Sequence, residues 1–172
     1  MTSLTSAFPP AVHQEQQEHA HQLLEDLQAL ATTPGGPPQP ATAQSRPAIL
    51  RRLAALAAMY VPAGTDRLVA HPDDTALVTA VALHTGIPFV LLNTTGTTTG
   101  ELHPQEAVVL VQFSSDGHEA ETVKLLMRKP TTVRGIISAV GNSATPPADL
   151  IPRTSLLNLS TFSSSTQEDS RD

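Results

Sequence analysis

The sequence predicts an α/β protein, a small open parallel sheet preceded by two helices. Three observations carry that prediction. Short apolar runs such as RLVA, PFVLL and VVLV recur after residue 66 without polar alternation, the pattern of strands buried on both faces. Between and after them lie stretches with helical apolar spacing, TALVTAVALH and HEAETVKLLMR; strands alternating with helices call for right-handed crossovers and a parallel sheet. Charge, finally, divides the chain: residues 1–45 hold four acids and no base, residues 161–172 three acids and one base, and residues 46–160 nine of each. A neutral middle between acidic, polar ends indicates one compact domain with solvated extensions.

Taken in order, residues 1–11 lack periodicity and contain Pro9-Pro10, which predicts a disordered start. Residues 12–32 predict an amphipathic helix, with Ala20, Leu23, Leu24, Leu27, Leu30 and Ala31 on one stripe. Its first half is polar all round, and His13, His19 and His21 share no face there. Residues 33–47, TPGGPPQPATAQSRP, have the composition of a linker, semi-rigid where prolines cluster. Residues 48–162 are the predicted α/β domain. Its helix, opened by Arg46-Pro47, carries the stripe Ile49, Leu53, Leu56, Ala57 and Tyr60 and ends at Pro62 and Gly64. A strand follows at 67–70, a helix at 75–84, a strand at 88–92, a strand at 108–111 running on toward 113, a helix at 118–128 and a strand at 133–140. Residues 163–172, SSSTQEDSRD, are an acidic tail of disordered composition.

In such a sheet the first and third strands are neighbours, with the second outside the first and the fourth outside the third. The chain changes direction between the first and third, so their C-terminal ends frame the ligand crevice. The loops His71-Pro72-Asp73-Asp74 and Gln112-Phe113-Ser114-Ser115-Asp116-Gly117 line it, and any small-molecule chemistry belongs there.

Composition narrows the function. The absence of cysteine excludes disulfides, thiolate zinc sites and a cysteine nucleophile. No run of eighteen apolar residues is present, so neither a membrane span nor a membrane partner is expected, and a cytoplasmic protein is. A net charge of −6 argues against nucleic acid as a partner. Arg51, Arg52, Lys124, Arg128, Lys129 and Arg134 fall on predicted surfaces and form no basic groove.

The stretch DRLVAHPDDTALVTAVALHTGIPFVLLN resembles the core of type I phosphoribosyltransferases, the orotate enzyme in particular. EAVVLVQFSSDGHEAETVKLLMRKPTTVRGIISAV resembles that family's diphosphate-ribose motif: an apolar strand, two acids, a short hydroxyl- and glycine-bearing loop, a helix and a further strand. LQALATTP and LIPRTSLLNLSTF are similar to the orotate enzyme's first helix and terminal segment, so the resemblance covers residues 20–162. It implies a Rossmann-like phosphoribosyltransferase sheet and a place in nucleotide metabolism.

The motifs that carry the family's chemistry depart from its pattern. Where two acids hold the ribose of phosphoribosyl pyrophosphate stand Gln112 and Phe113. A phenyl ring accepts no hydroxyl proton, and an amide lacks the charge that stabilises an oxocarbenium-like transition state. The phosphate loop is Ser114, Ser115, Asp116, Gly117 and His118, one residue short and with an acid beside the anion. The small-residue pyrophosphate loop is replaced by His71, Pro72, Asp73 and Asp74; like charges about 4 Å apart repel by about 1–4 kcal/mol. Asn93–Gly100, NTTGTTTG, stands where the resemblance implies a basic pair and a lysine-bearing mobile loop. A Pro/Gly-rich linker stands where the orotate enzyme has its substrate-covering hood.

These departures predict a pseudoenzyme: a hood-less orotate-type fold with no catalytic residues, resident metal or cofactor. Its expected role is regulatory, binding a small anion or nucleotide in the degenerate crevice, or a protein through the N-terminal helix or by homodimerising. The first alternative is an active, magnesium-dependent orotate-type phosphoribosyltransferase, with Ser114 and Ser115 on phosphate and Asp116 replacing the acids. The second is a metal-dependent α/β domain using His71, Asp74 and His118, with Asp116 and Glu119 nearby. Against that last reading, Asp73 and Asp74 after Pro72 suit helix capping, and no H-x-x-x-H or H-E-x-x-H spacing is present; Ser114 and Ser115 sit in a nucleophile-like turn but lack a G-x-S-x-G context. The leucine stripe either folds back on the sheet or docks on another chain.

Overall fold

The computed structural model describes residues 10–31, 38–115, 118–141 and 151–158. Three helices come first: α1 (Pro10–Gln28), the short α2 (Pro40–Gln44) and α3 (Pro47–Met59). The α/β part follows as β1 (Arg67–Ala70), a 3-10 turn (Pro72–Asp74), α4 (Thr75–Thr85), β2 (Phe89–Leu92), β3 (Thr98–Thr99), β4 (Ala107–Ser114), α5 (His118–Met127), β5 (Thr132–Gly141) and β6 (Arg153–Asn158).

The sheet runs β3-β2-β1-β4-β5-β6. Its inner pairs are parallel, as the buried apolar runs require, with Leu68 opposite Phe89 and Val109. The four expected strands hold the expected order. The sequence reading missed β3, a two-residue antiparallel edge, and β6, a parallel edge beside β5. A bulge at the start of the β4–β5 ladder passes over Arg134, which projects to solvent.

Side chains alternate between two cores. On one face Leu68, Ala70, Val109, Val111 and Phe113 pack under α1, α3 and α4. On the other, Val69, Val90, Leu92, Val108 and Leu110 pack under Val123 and Leu126 of α5. Leu23 and Leu27 of α1 are fully buried in the first core, and an Arg52–Asp26 ion pair joins α3 to α1. Of the two expected dispositions of the leucine stripe, the structure shows the folded-back one. On α3 the buried set is Ile49, Leu53, Ala54 and Ala57. Tyr60, expected on that stripe, is 52% exposed because the helix stops at Met59 before the next turn can reach the sheet.

Two sequence boundaries move. Helix α1 starts at Pro10, inside the stretch expected to be disordered, because proline suits a first helical turn. The second half of the expected linker contains α2, again opened by a proline, with Ala43 and Gln44 buried. Residues 1–9 and the tail 163–172 lie outside the described residues. No helix among the described residues is long and apolar enough to cross a membrane.

Candidate functional site

The chain changes direction between β1 and β4, so the crevice opens at their C-terminal ends. Six of the expected residues line it. A cleft of about 90 Å³ is lined by His71, Asp73 and Asp74 from the turn after β1, by Gln112, Phe113 and Ser114 of β4, and by Pro40 of α2. Strand β4 runs through Ser114, so Gln112 and Phe113 belong to the strand expected to run on toward 113, and Ser114, expected in the loop, ends it. Asp116 and Gly117 lie outside the described residues. His118 opens α5.

Asp74 stands at the start of α4, where an aspartate commonly caps the helix with its own carboxylate. Here it makes no such bond. Its Oδ1 instead accepts the backbone N–H of Phe113 at 3.1 Å and Nε2 of Gln44 at 3.1 Å. Burial pushes its pKa from 3.8 up to about 6, against the lowering effect of the Phe113 and Gln44 hydrogen bonds and of His71. The helix end is capped from elsewhere: Leu77 N–H donates to Oε1 of Gln44 at 3.2 Å. His71 Nδ1 accepts from Asp73 N–H at 3.3 Å and caps the 3-10 turn. The capping expected of Asp73 and Asp74 is therefore performed by Gln44 and His71, because β4 claims the Asp74 carboxylate. Sequence reasoning missed Gln44, which lies 30 residues away in an unremarkable polar segment.

Gln112 and Phe113, which the resemblance implies stand in place of two acids, are both committed internally. Gln112, 7% exposed, donates through Nε2 to Oε2 of Glu119 at 2.6 Å and to Oγ of Ser138 at 2.9 Å. The other oxygen of Glu119 accepts Nε of Arg153 at 2.6 Å, so an ion pair from β6 anchors the first turn of α5. Phe113 is 1% exposed and belongs to the core. Beside them Ser115 N–H donates to the Val140 carbonyl at 3.1 Å. A Cβ on Gly141 would stand 2.5 Å from Oγ of Ser155 and 2.8 Å from Oγ of Ser115, so a side chain there would force both hydroxyls to turn away.

The segment after β2 is a closed hairpin. Oδ1 of Asn93 accepts the N–H groups of Thr95 and Thr97 at 3.1 and 2.9 Å and the Thr95 hydroxyl at 2.6 Å. Gly100, at φ +101°, lies so close to Val90 that a Cβ would come within 2.8 Å of its side chain. The segment for which the resemblance implies a long mobile loop is thus a tight turn.

Magnesium accompanies the active-enzyme alternative, and of the cleft carboxylates Asp73 is exposed while Asp74 is already bonded within the protein. One Asp74 oxygen already serves two donors, and the Gln112 amide donates to Glu119. Among the described residues no group of three His, Cys, Asp or Glu is placed to hold a metal ion.

Solved phosphoribosyltransferases match this chain over most of its length, and the fold of this chain is that of the type I phosphoribosyltransferases. Orotate phosphoribosyltransferase from Mycobacterium tuberculosis H37Rv, solved with 5-phospho-alpha-D-ribosyl 1-diphosphate, matches with a TM-score of 0.69 at 14% identity, over 84% of this chain and 98% of that one. A phosphoribosyltransferase from Corynebacterium diphtheriae matches with a TM-score of 0.66 at 16% identity, over 84% and 98%. The UMP synthase of Leishmania donovani matches with a TM-score of 0.59 at 17% identity; 69% of this chain spans 28% of that protein's length. No protein-family model and no curated protein matches the sequence.

Proposed function

We propose that this chain is a non-catalytic, cytoplasmic phosphoribosyltransferase-like protein that works as a regulatory, protein-interaction module. One observation carries the proposal: the end of β4, where the family grips ribose, is turned inward. Phe113 fills core, and the Gln112 amide is bonded to Glu119 and Ser138. A cleft of about 90 Å³ is also well below the roughly 300–1,000 Å³ of ordinary ligand pockets. The side chain of Asp73 at its rim is 87% exposed, which disfavours a pyrophosphate or nucleotide anion and favours the protein-interaction role over the anion-binding one.

A thermal-shift screen with phosphoribosyl pyrophosphate plus magnesium, orotate and nucleoside mono- and diphosphates tests the reading. A ligand at a hundred times its Kd raises stability by about 2.7 kcal/mol. The expected result is no shift with any of them. A saturable shift with phosphoribosyl pyrophosphate would overturn the proposal; one with a nucleotide alone would transfer the role to nucleotide binding.

A further inference from the structure

Helix α2 is too short to be stable alone, yet Gln44 at its end is 7% exposed. Three bonds hold that side chain. Oε1 accepts Leu77 N–H at 3.2 Å, while Nε2 donates to Oδ1 of Asp74 at 3.1 Å and to the Asp73 carbonyl at 3.3 Å. The first N–H groups of a helix have no partner within the helix, so Leu77 depends on an acceptor from outside α4. The Asp74 carboxylate that Gln44 grips is also the acceptor for Phe113 N–H. One amide thus joins α2, the start of α4 and the end of β4. At the other end of α2, Pro40 forms part of the cleft wall.

From this juxtaposition we propose that α2 is a strap that closes the crevice, and that Gln44 is the positioning residue that fastens it. An entrant too large for the present cleft and seated on the Pro40 side must displace the strap, and displacement means replacing the Gln44 bonds to Asp74 and Leu77. The strap acts on the crevice whatever enters it, so the inference stands apart from the question of catalysis.

The sequence contains no cysteine, so a single introduced thiol reports access without background. Ser114→Cys places it on the cleft wall, and Ala139→Cys, at a site 1% exposed in the core, reports opening of the whole fold. Adding Gln44→Ala is expected to raise the iodoacetamide rate at the Ser114→Cys thiol by about tenfold, a local opening, and to leave the Ala139→Cys rate unchanged. Gln44→Glu keeps the side chain's length and an acceptor for Leu77 but loses the donor to Asp74 and adds a like charge. It is expected to label as fast as Gln44→Ala, which a role in packing alone does not produce. Unchanged labelling at the Ser114→Cys thiol in both variants, or an equal rise at both thiols, would overturn the proposal.

Discussion

Replacing Asp74 by asparagine should stabilise the protein at neutral pH. The folded carboxyl gives up its proton near pH 6 instead of near 3.8, chiefly because it is buried. Between those values the folded state holds a proton that the unfolded chain has released, so stability falls as pH rises through the window and stays lowered above it. At about 1.4 kcal/mol per tenfold, the gap from 3.8 to about 6 sets a ceiling of about 3 kcal/mol. Residual solvent contact reduces that figure. Asparagine keeps a neutral oxygen for both Gln44 Nε2 and Phe113 N–H, and the gap is already net of the help those two bonds give the ionised carboxyl. The expected gain is about 1–2 kcal/mol at pH 7.5, vanishing below about pH 4, where the aspartate is protonated in both states. Urea denaturation of parent and Asp74→Asn at pH 4 and pH 7.5 measures it. A loss of stability at pH 7.5, or a difference independent of pH, would refute the argument that burial dominates this carboxyl.

The same geometry sets two further expectations. Gln112→Asp faces a new carboxylate toward Glu119, which lies 2.6 Å from the present amide, and should lower stability by about 2–4 kcal/mol at pH 7.5, less at pH 4, as a denaturant midpoint at each pH will show. Phe113→Ala empties a site that is 1% exposed and should lower stability by about 3–5 kcal/mol, measured by urea unfolding; a loss under 1 kcal/mol would mean that the ring is not core.

The sheet was legible because its inner strands are apolar on both faces: RLVA matches β1 residue for residue, and VVLV lies inside β4. The edges were not. Strand β3 is two threonines held by the Asn93 turn, and β6, RTSLLN, is only partly buried; both owe their structure to a neighbour and not to their own pattern. Pro40–Gln44 looked like linker for the same reason, since the partners of Gln44 lie in the turn after β1 and in α4. At the site, the loops flanking β1 and β4 were found from strand order alone. Which donors the carboxylate of Asp74 serves, and that Gln44 caps α4 in its place, depends on a contact across 30 residues that no local spacing records.

Catalytic silence is the central claim, and pyrophosphate release by the unmodified full chain tests it most directly. Phosphoribosyl transfer needs the ribose and the leaving pyrophosphate held by preorganised charge, and removing one such contact commonly slows an enzyme by about 10²–10³-fold. The resemblance puts Gln112 and Phe113 at the ribose positions and Asp73 and Asp74 where pyrophosphate would lie. With phosphoribosyl pyrophosphate, magnesium and orotate, uracil, adenine, guanine or hypoxanthine, release is expected to match the protein-free background. Steady turnover by the unmodified chain, abolished by Asp116→Asn, would contradict the account and establish a working transferase.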